Sequence, residues 1–381
     1  PNGGPSLSCT HDANAWPADR YAGLPAPRAD EKVVFWLQNS HATPIPAGAV
    51  ALDRMGADAP VPYPRAIGPF ASVPIDVESL LPGLRWPAQI EIRAGRHVVR
   101  PRYEVVQGGR TRIAHPNVER DNLSPDPAIA SLPAAMGRGF LLPFPILPKA
   151  RFRTVALPTP MATTQADLPV RIDAFDRSGT KRGEMFVGRL PRDHAVDVDL
   201  DALDVEEGHA ELVYDFRDGG GADGWLHGLF RYEDRAGGHA AETSFGAHIF
   251  NTAMTWKDEP QSYNGPPPGL TTRLFLKLGD AEGRESFCVL IYPASGPWHP
   301  VSDTRLILHD GAGRAIAEAK VAIPLSGSVD IRSARMFAPD ALRAAADGGY
   351  VLIRDTTCRL FGYHGLADAA GRFSLDHMFG F

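Results

Sequence analysis

The sequence predicts an all-β protein of three tandem immunoglobulin-like or jelly-roll-like β-sandwich repeats, packed around a pseudo-threefold axis. Short runs of β-branched and aromatic residues alternate with polar residues and are bounded by Gly, Pro, Asp and Asn clusters, which is typical of strands and turns. A segment that ends on histidine also recurs, at His115, His248 and His377, with intervals of 248 − 115 = 133 and 377 − 248 = 129 residues. A nearly constant interval of this kind indicates repeated structural units.

Other landmarks recur in the same order. Each copy has an apolar run, a strand-like segment that runs into Asp and Gly, an alternating segment around a further aspartate, and a strand that ends on Arg. The aspartates of the alternating segment are Asp76, Asp197 and Asp330. We expect them to be structural, because aspartate at a strand edge commonly accepts hydrogen bonds from neighbouring backbone N–H groups.

The 381-residue chain is too long for one core and long enough for one core in each repeat. Proline-rich stretches separate the repeats, and such stretches act as semi-rigid spacers. The predicted segments are an irregular N-terminal arm (1–30), repeat 1 (31–115), a linker (116–150), repeat 2 (151–250), a second linker (251–270) and repeat 3 (271–381).

Local signals predict individual elements. Asp-Arg-Ser-Gly at 176–179 and Asp-Gly-Ala-Gly at 310–313 have the residues of hairpin turns, because glycine tolerates a positive φ. The segment Pro339–Ala346 predicts a short helix, since proline suits the first turn and alanine and leucine propagate it. The apolar stretch FLLPFPIL at 140–147 is expected to pack against the protein although it lies in a predicted linker.

The three terminal histidines are the strongest candidates for chemistry. If three equivalent strand ends converge on the axis, His115, His248 and His377 would hold one divalent metal and leave a coordination position open. Zinc, iron or copper would accept such nitrogen ligands. Asp376 is expected to point away from His377, because neighbouring residues on a strand face opposite sides.

The repeat alone does not decide whether the histidines meet. In an elongated chain of modules they would lie far apart, and the protein would be a non-enzymatic binding or scaffolding protein for a glycan or protein partner. A third alternative is a structural metal that pins the repeats together with a closed coordination shell. A compact body with the three imidazoles near a common point favours the enzyme.

Aromatic and basic residues precede each histidine and would shape a substrate pocket, since arginine binds carboxylates. Non-repeated features such as His41 would supply specificity, and His227 and His364 are possible proton donors. The catalytic candidates are Tyr103, Tyr232, His364 and His41. The substrate-binding candidates are Arg102, Arg231, Trp225 and Trp298.

Composition narrows the function classes. The net charge is 39 − 45 = −6, and no Lys/Arg-rich run is present, so nucleic acid and membrane are not expected partners. The three cysteines, Cys9, Cys288 and Cys358, are few and widely separated, which favours a reducing, cytoplasmic location with buried thiols in the last two. Motifs of serine hydrolases, HExxH metalloproteases and nucleotide-binding loops are absent.

Together these observations predict a metal-dependent enzyme that acts on a small organic substrate. The ion would serve as a Lewis acid in a lyase or hydrolase, or would activate oxygen in a non-haem iron oxygenase.

Overall fold

Six small antiparallel sheets form the body of the protein in the computed structural model, and the prediction of an all-β fold is confirmed with 50% strand and 7% helix. The structure describes residues 17–23, 27–131, 141–237, 240–248, 254–256, 259–261, 272–279, 283–293, 299–345 and 348–378. Within these ranges, no helix is both long enough and apolar enough to cross a membrane.

The first sheet pair lies within residues 20–119, which also contain the short helix α1 (Val77–Leu80). One sheet has the order β4-β3-β6-β1-β9 and the other β5-β2-β7-β8. Apolar side chains alternate along each strand and face a shared core between the two sheets. The strands are β1 (Arg20–Ala22), β2 (Lys32–Gln38), β3 (Ala51–Arg54), β4 (Val61–Pro62), β5 (Ser72–Asp76), β6 (Ile90–Arg93), β7 (Arg102–Gln107), β8 (Arg110–Ala114) and β9 (Asn117–Glu119).

The second sheet pair follows with the orders β10-β15-β12-β13 and β14-β11-β16-β17. Two 3-10 helices, Pro127–Ser131 and Leu200–Ala202, accompany it. The strands are β10 (Leu141–Ile146), β11 (Phe152–Thr159), β12 (Asp167–Asp176), β13 (Lys181–Pro191), β14 (Val198–Asp199), β15 (Gly208–Tyr214), β16 (Trp225–Asp234) and β17 (Ala240–His248).

The third sheet pair has the orders β20-β25-β22-β23 and β24-β21-β26-β27, and a separate ladder joins β18 to β19. Its helices are α2 (Ser333–Met336) and α3 (Pro339–Ala345), so the predicted helix is confirmed over the described part of its range. The strands are β18 (Met254–Trp256), β19 (Glu259–Gln261), β20 (Thr272–Lys277), β21 (Arg284–Ile291), β22 (Thr304–His309), β23 (Ala315–Val321), β24 (Ser328–Arg332), β25 (Tyr350–Asp355), β26 (Phe361–Asp368) and β27 (Asp376–His377).

Three strands lie in segments that the sequence assigns to the arm and the first linker. β1 pairs with β6 and β9, and β10 forms an edge of the second sheet pair. Leu142 and Phe144 of β10 are fully buried, as expected for the apolar stretch. Pro143 and Pro145 lack an N–H donor, which an edge strand tolerates because one of its sides has no neighbouring strand.

One sheet in each of the three pairs has the same arrangement of strands. An edge strand (β5, β14 or β24) runs directly into a short helix, pairs with a central strand, and is followed across the sheet by two further strands. The last residues of these edge strands are Asp76, Asp199 and Arg332. They give a common point from which positions in the three sheets can be counted.

β21 joins the second and third sheet pairs. Phe287, Val289 and Ile291 belong to the core of the second pair, whereas the alternate residues Cys288 and Leu290 belong to the core of the third. Because successive side chains on a strand face opposite sides, β21 is buried on both faces. Cys288 and Cys358 are both buried free thiols, as predicted, and burial raises the pKa of each.

A buried ion pair network joins the first and second sheet pairs. The guanidinium of Arg112 on β8 lies 2.8 Å from the carboxylates of both Glu31 and Glu242, and Glu242 is on β17. The phenol of Tyr103 also donates to Glu242. Arg112 holds the pKa of Glu31 at about 2 against the opposing effect of burial, so this carboxylate is charged at neutral pH.

Candidate metal centre

The first and third sheet pairs meet at two histidines. His115 follows the last residue of β8, and His377 ends β27. Their imidazole centroids are 5.6 Å apart with an angle of 70° between the planes. Asp376 completes a group of three possible ligands whose donor atoms all lie within 4.8 Å of one another. The exposed fractions of His115, Asp376 and His377 are 1%, 2% and 4%, so the group is enclosed by protein.

β17 of the second sheet pair contacts this group of possible ligands through Thr243 and Phe245. Thr243 donates its hydroxyl to Asp376 Oδ1 at 2.8 Å and accepts the backbone N–H of His377 at 3.1 Å. The ring of Phe245 lies 4.7 Å from the ring of His377. All three sheet pairs therefore contribute side chains to one junction.

The hydrogen bond of His115 sets its tautomer. Nδ1 lies 3.1 Å from the carbonyl oxygen of Pro116, and a carbonyl only accepts, so Nδ1 carries the hydrogen and Nε2 the lone pair. A histidine that binds a metal through one nitrogen commonly donates its other N–H to a carbonyl or carboxylate. The local geometry of His115 therefore suits a metal ligand.

Asp376 turns toward its neighbour, in contrast to the expectation from strand alternation. Its Oδ1 lies 3.4 Å from Nδ1 of His377 and accepts the backbone N–H of the same residue at 2.9 Å. β27 is only two residues long, so the side chain of Asp376 can fold back onto the following backbone amide. Its position next to His377 in the sequence was the available signal for this possible ligand, but strand alternation argued against it.

Strand register separates His248 from the other two histidines. In each sheet, the paired residues lead from Asp76, Asp199 or Arg332 at the edge to one residue of the last strand, and the position two residues further along that strand can be compared. The count reaches His115 in the first sheet, Ser244 in the second and His377 in the third. His248 is four residues beyond Ser244 on β17, about 14 Å along the strand. The side chain of His248 lies outside the described residues.

His227 is the imidazole that the second sheet pair brings to the junction. It lies on β16, and its Nε2 shares a hydrogen bond of 3.1 Å with the hydroxyl of Ser244. Burial lowers the pKa of His227 to about 3, and the charges of Arg100 and His377 lower it in the same direction. His227 is therefore neutral at physiological pH.

Arg100 gives the junction a positive charge. Its Nε is buried and has no hydrogen-bond partner among the described residues. Burial lowers the pKa of Arg100, with a further contribution from Arg102, whereas Asp376 opposes the change. An oxygen anion is the group that would satisfy a guanidinium in this position.

The predicted pocket residues of the first two sheet pairs lie mainly in the protein interior. Tyr103 and Tyr232 are fully buried on β7 and β16. Arg231 is almost fully buried and pairs with Asp197 at 2.7 Å and Glu233 at 2.8 Å, so its charge is matched within the second sheet pair. Half-buried Arg102 donates to the carbonyl oxygen of Arg100 at 2.9 Å, which connects it to the junction.

The remaining candidates are dispersed. His41 lies in an exposed loop, and half-buried His364 pairs with Asp376 across β26 and β27. Trp225 begins β16, and the guanidinium of Arg120 lies 4.4 Å from the centre of its ring. Trp298 lies outside the described residues. His364 and Trp225 are thus placed near the junction by their strands, whereas His41 belongs to a separate loop of the first sheet pair.

Comparisons with known proteins give no family. No family model matches the chain, and no curated protein matches it. A solved structure of dimeric latent PorU from Porphyromonas gingivalis is similar over 99% of this chain and 32% of its own chain, at 10% identity and a TM-score of 0.18. The chain thus spans about a third of that protein, and a similarity this weak carries no argument about fold or function.

Proposed function

We propose that the protein is a metal-dependent enzyme whose ion is held by His115, Asp376 and His377. The observation that carries the proposal is the approach of three possible ligands within 4.8 Å, from positions that are 377 − 115 = 262 residues apart. Two imidazoles and one carboxylate form a donor set that suits zinc or non-haem iron. The hydrogen bond from His115 Nδ1 to a carbonyl oxygen supports the same assignment.

The donor separation is compatible with binding after a small adjustment. Ligands that lie about 2 Å from one ion in a tetrahedral arrangement are about 3.3 Å from one another. The three groups within 4.8 Å must therefore close by about 1.5 Å at most, which side-chain rotation can supply. With three protein ligands, at least one position remains for water or substrate.

The substrate class follows from the charges at the junction. A bound ion of this type acidifies a coordinated water or polarises a substrate oxygen. Arg100 would bind the anionic oxygen of a small organic substrate through its buried Nε. His227 stays neutral and, with Ser244, would hold a polar group by hydrogen bonding.

We also propose that the chain consists of three copies of one structural unit. The shared strand order of the three sheets and the matching register positions of His115, Ser244 and His377 support three repeats around a pseudo-threefold axis. In this scheme the second repeat has serine where the others have histidine.

Metal content of the full chain tests the proposal. We would load the protein with zinc or iron, remove weakly bound metal, and measure metal by elemental mass spectrometry. We expect close to one equivalent per chain, lost in His115→Ala and His377→Ala and reduced in Asp376→Asn. His309→Ala is the matched control, because His309 lies on β22 of the third sheet pair. His248→Ala asks whether the third histidine contributes.

The outcomes separate the alternatives. No bound metal in a folded protein would overturn the proposal and favour a modular binding protein. Metal that is lost in His248→Ala but retained in Asp376→Asn would restore the three-histidine site. Metal that is retained in both His115→Ala and His377→Ala would place the ion elsewhere.

A structural metal is the second candidate, and the deep burial of all three ligands favours it. Cobalt(II) substitution distinguishes the two functions. An enzyme site with an exchangeable position is expected to change its visible spectrum when azide is added. A closed structural site is expected to leave the spectrum unchanged.

A further inference from the structure

The outer face of one sheet in the third sheet pair carries a row of basic side chains. This sheet has the order β20-β25-β22-β23, and its inner face belongs to the core of the pair. On the outer face, cross-strand pairing places four exposed cations side by side, one from each strand: Arg273, Arg354, Arg305 and Lys320. Because each cation comes from a different strand, the row does not appear as a basic run in the sequence.

Only half of this basic row has a counter-charge among the described residues. The cations of β22 and β23 have carboxylate partners, in the pairs Arg305–Glu318 at 2.6 Å and Lys320–Asp303 at 3.6 Å. Arg273 and Arg354 lie directly opposite each other, and neither has an acidic partner in the described part of the chain. Like charges directly opposed on neighbouring strands destabilise a sheet. A carboxylate bound between the two guanidinium groups would remove this repulsion and accept hydrogen bonds from both.

An apolar row runs beside the basic row on the same face. It lies two residues away along three of the strands and consists of Phe275, Leu352 and Ile307, which are paired in register. The two rows are therefore about 7 Å apart. Phe275 is 46% exposed, and Leu352 and Ile307 are half-buried, so all three side chains can be reached from solvent. An exposed apolar surface bordered by charges is typical of a protein-interaction site.

The aromatic rings of this face already pack against neighbours. Tyr350 and His309 stack on each other with centroids 4.9 Å apart and 1° between their planes. The guanidinium carbon of Arg273 lies 5.5 Å from the centre of the Phe275 ring. Single-stranded nucleic acids bind by stacking their bases on open aromatic faces, and sugar rings also pack on such faces. The aliphatic side chains between these rings instead suit the aliphatic side chains of a polypeptide.

We propose that this face binds an acidic amphipathic helix of a protein partner. Its carboxylates would pair with Arg273 and Arg354, and its aliphatic side chains would cover Phe275, Leu352 and Ile307. Residues three or four apart on a helix rise about 4.5–6 Å along its axis, and neighbouring strands are about 4.8 Å apart. A helix that lies across the strands can therefore present one carboxylate to each cation. The metal junction uses the other sheet of this pair, so the proposal does not rest on the metal-dependent function.

Two labelled peptides test the face on the full chain. The probe is a helical peptide of about 14 residues in which Glu and Leu form two adjacent stripes, and the second peptide has the same composition in scrambled order. We expect fluorescence anisotropy to show saturable binding of the probe, with a Kd about tenfold higher for the scrambled peptide. Arg273→Gln/Arg354→Gln should raise the Kd of the probe about tenfold, as the loss of two exposed ion pairs allows. Phe275→Ser should raise it as well, since it removes apolar contact area.

The control variant removes the same charge elsewhere. Arg182→Gln/Arg189→Gln replaces two exposed arginines on β13 of the second sheet pair and should leave the Kd of the probe unchanged. Equal Kd values for the two peptides, a Kd that Arg273→Gln/Arg354→Gln does not change, or the absence of saturable binding would each overturn the proposal. Tighter binding of polyuridylate or polygalacturonate that is lost in Arg273→Gln/Arg354→Gln would also overturn it, because the face would then bind a nucleic acid or an acidic polysaccharide.

Discussion

His227 shows how burial sets the protonation of a single residue at the junction. Its folded pKa of about 3 lies below the ordinary value of 6.5. Between these pH values the unfolded chain binds a proton that the folded chain excludes. The contribution of His227 is therefore fully present above pH 6.5 and decreases as the pH falls toward 3.

Replacing His227 should reduce the acid sensitivity of the protein. One such residue costs about 1.4 kcal/mol of stability for each pH unit within its window. We expect the Tm of His227→Gln to change less between pH 7.5 and pH 5 than that of the unmodified protein. His194, whose pKa burial lowers to about 4, leaves a residual slope of the same sign. His41→Gln, on an exposed loop, is the control and should retain the original slope.

The histidines also show what a sequence can predict at the scale of residues. The pattern of terminal histidines identified His115 and His377, which the structure brings together. It did not identify Ser244, the residue that the register count reaches on β17, because register depends on strand length: β17 has nine residues and β27 has two. The sequence singled out His227 as a possible proton donor, but its place beside Ser244 depends on the pairing of β16 with β17, which a single sequence does not reveal.

Arg112, a buried cation on β8, links β8 to Glu242 on β17. Its removal should lower the free energy of unfolding. Arg112→Leu removes the cation that Glu31 and Glu242 share, so Glu242 is left buried without it, whereas Glu31 keeps Arg28 at 3.2 Å. Breaking a buried ion pair in this way costs about 3–5 kcal/mol. We expect a large decrease in the urea midpoint of Arg112→Leu and little change in Arg305→Leu, whose partner Glu318 is on the surface. Similar effects of the two variants would contradict this account.

The turn between β12 and β13 should be sensitive to a single methyl group. Gly179 has a φ of 87°, and an added Cβ would clash with the backbone of the third sheet pair. Gly188 has a similar φ of 84°, but an added Cβ would meet nothing within 4 Å. Both alanine variants lose about 1–2 kcal/mol to backbone strain. Thermal unfolding should therefore show a larger loss for Gly179→Ala, and equal losses would exclude a tight contact.

Turns and helix ends could be predicted where a few neighbouring residues determine the backbone conformation. Gly and Asp residues indicated the β12–β13 and β22–β23 hairpins, and Pro339 indicated the start of α3. β10 was not predicted as a strand, because its prolines resemble a linker until its position at a sheet edge is known. The same applies to β1, whose pairing with β6 and β9 joins distant parts of the chain.

At the scale of the whole molecule, a bound ion should couple the first and third sheet pairs. An ion that binds only the folded protein adds about 2.7 kcal/mol at a free concentration of 100 times its Kd. We expect zinc to raise the Tm of the unmodified protein but not that of His115→Ala or His377→Ala. The Tm of His309→Ala should respond like the unmodified protein. A zinc response that persists in both junction variants would argue against a shared site.

The burial of β21 on both faces has a consequence for dividing the protein into parts. A fragment that starts at Thr272 would carry Phe287, Val289 and Ile291 as an uncovered hydrophobic stripe, since their neighbours belong to the second sheet pair. Such a fragment is expected to self-associate in water rather than to behave as an autonomous module. The segment that the sequence predicts as repeat 3 is therefore not expected to be a unit that can be expressed alone.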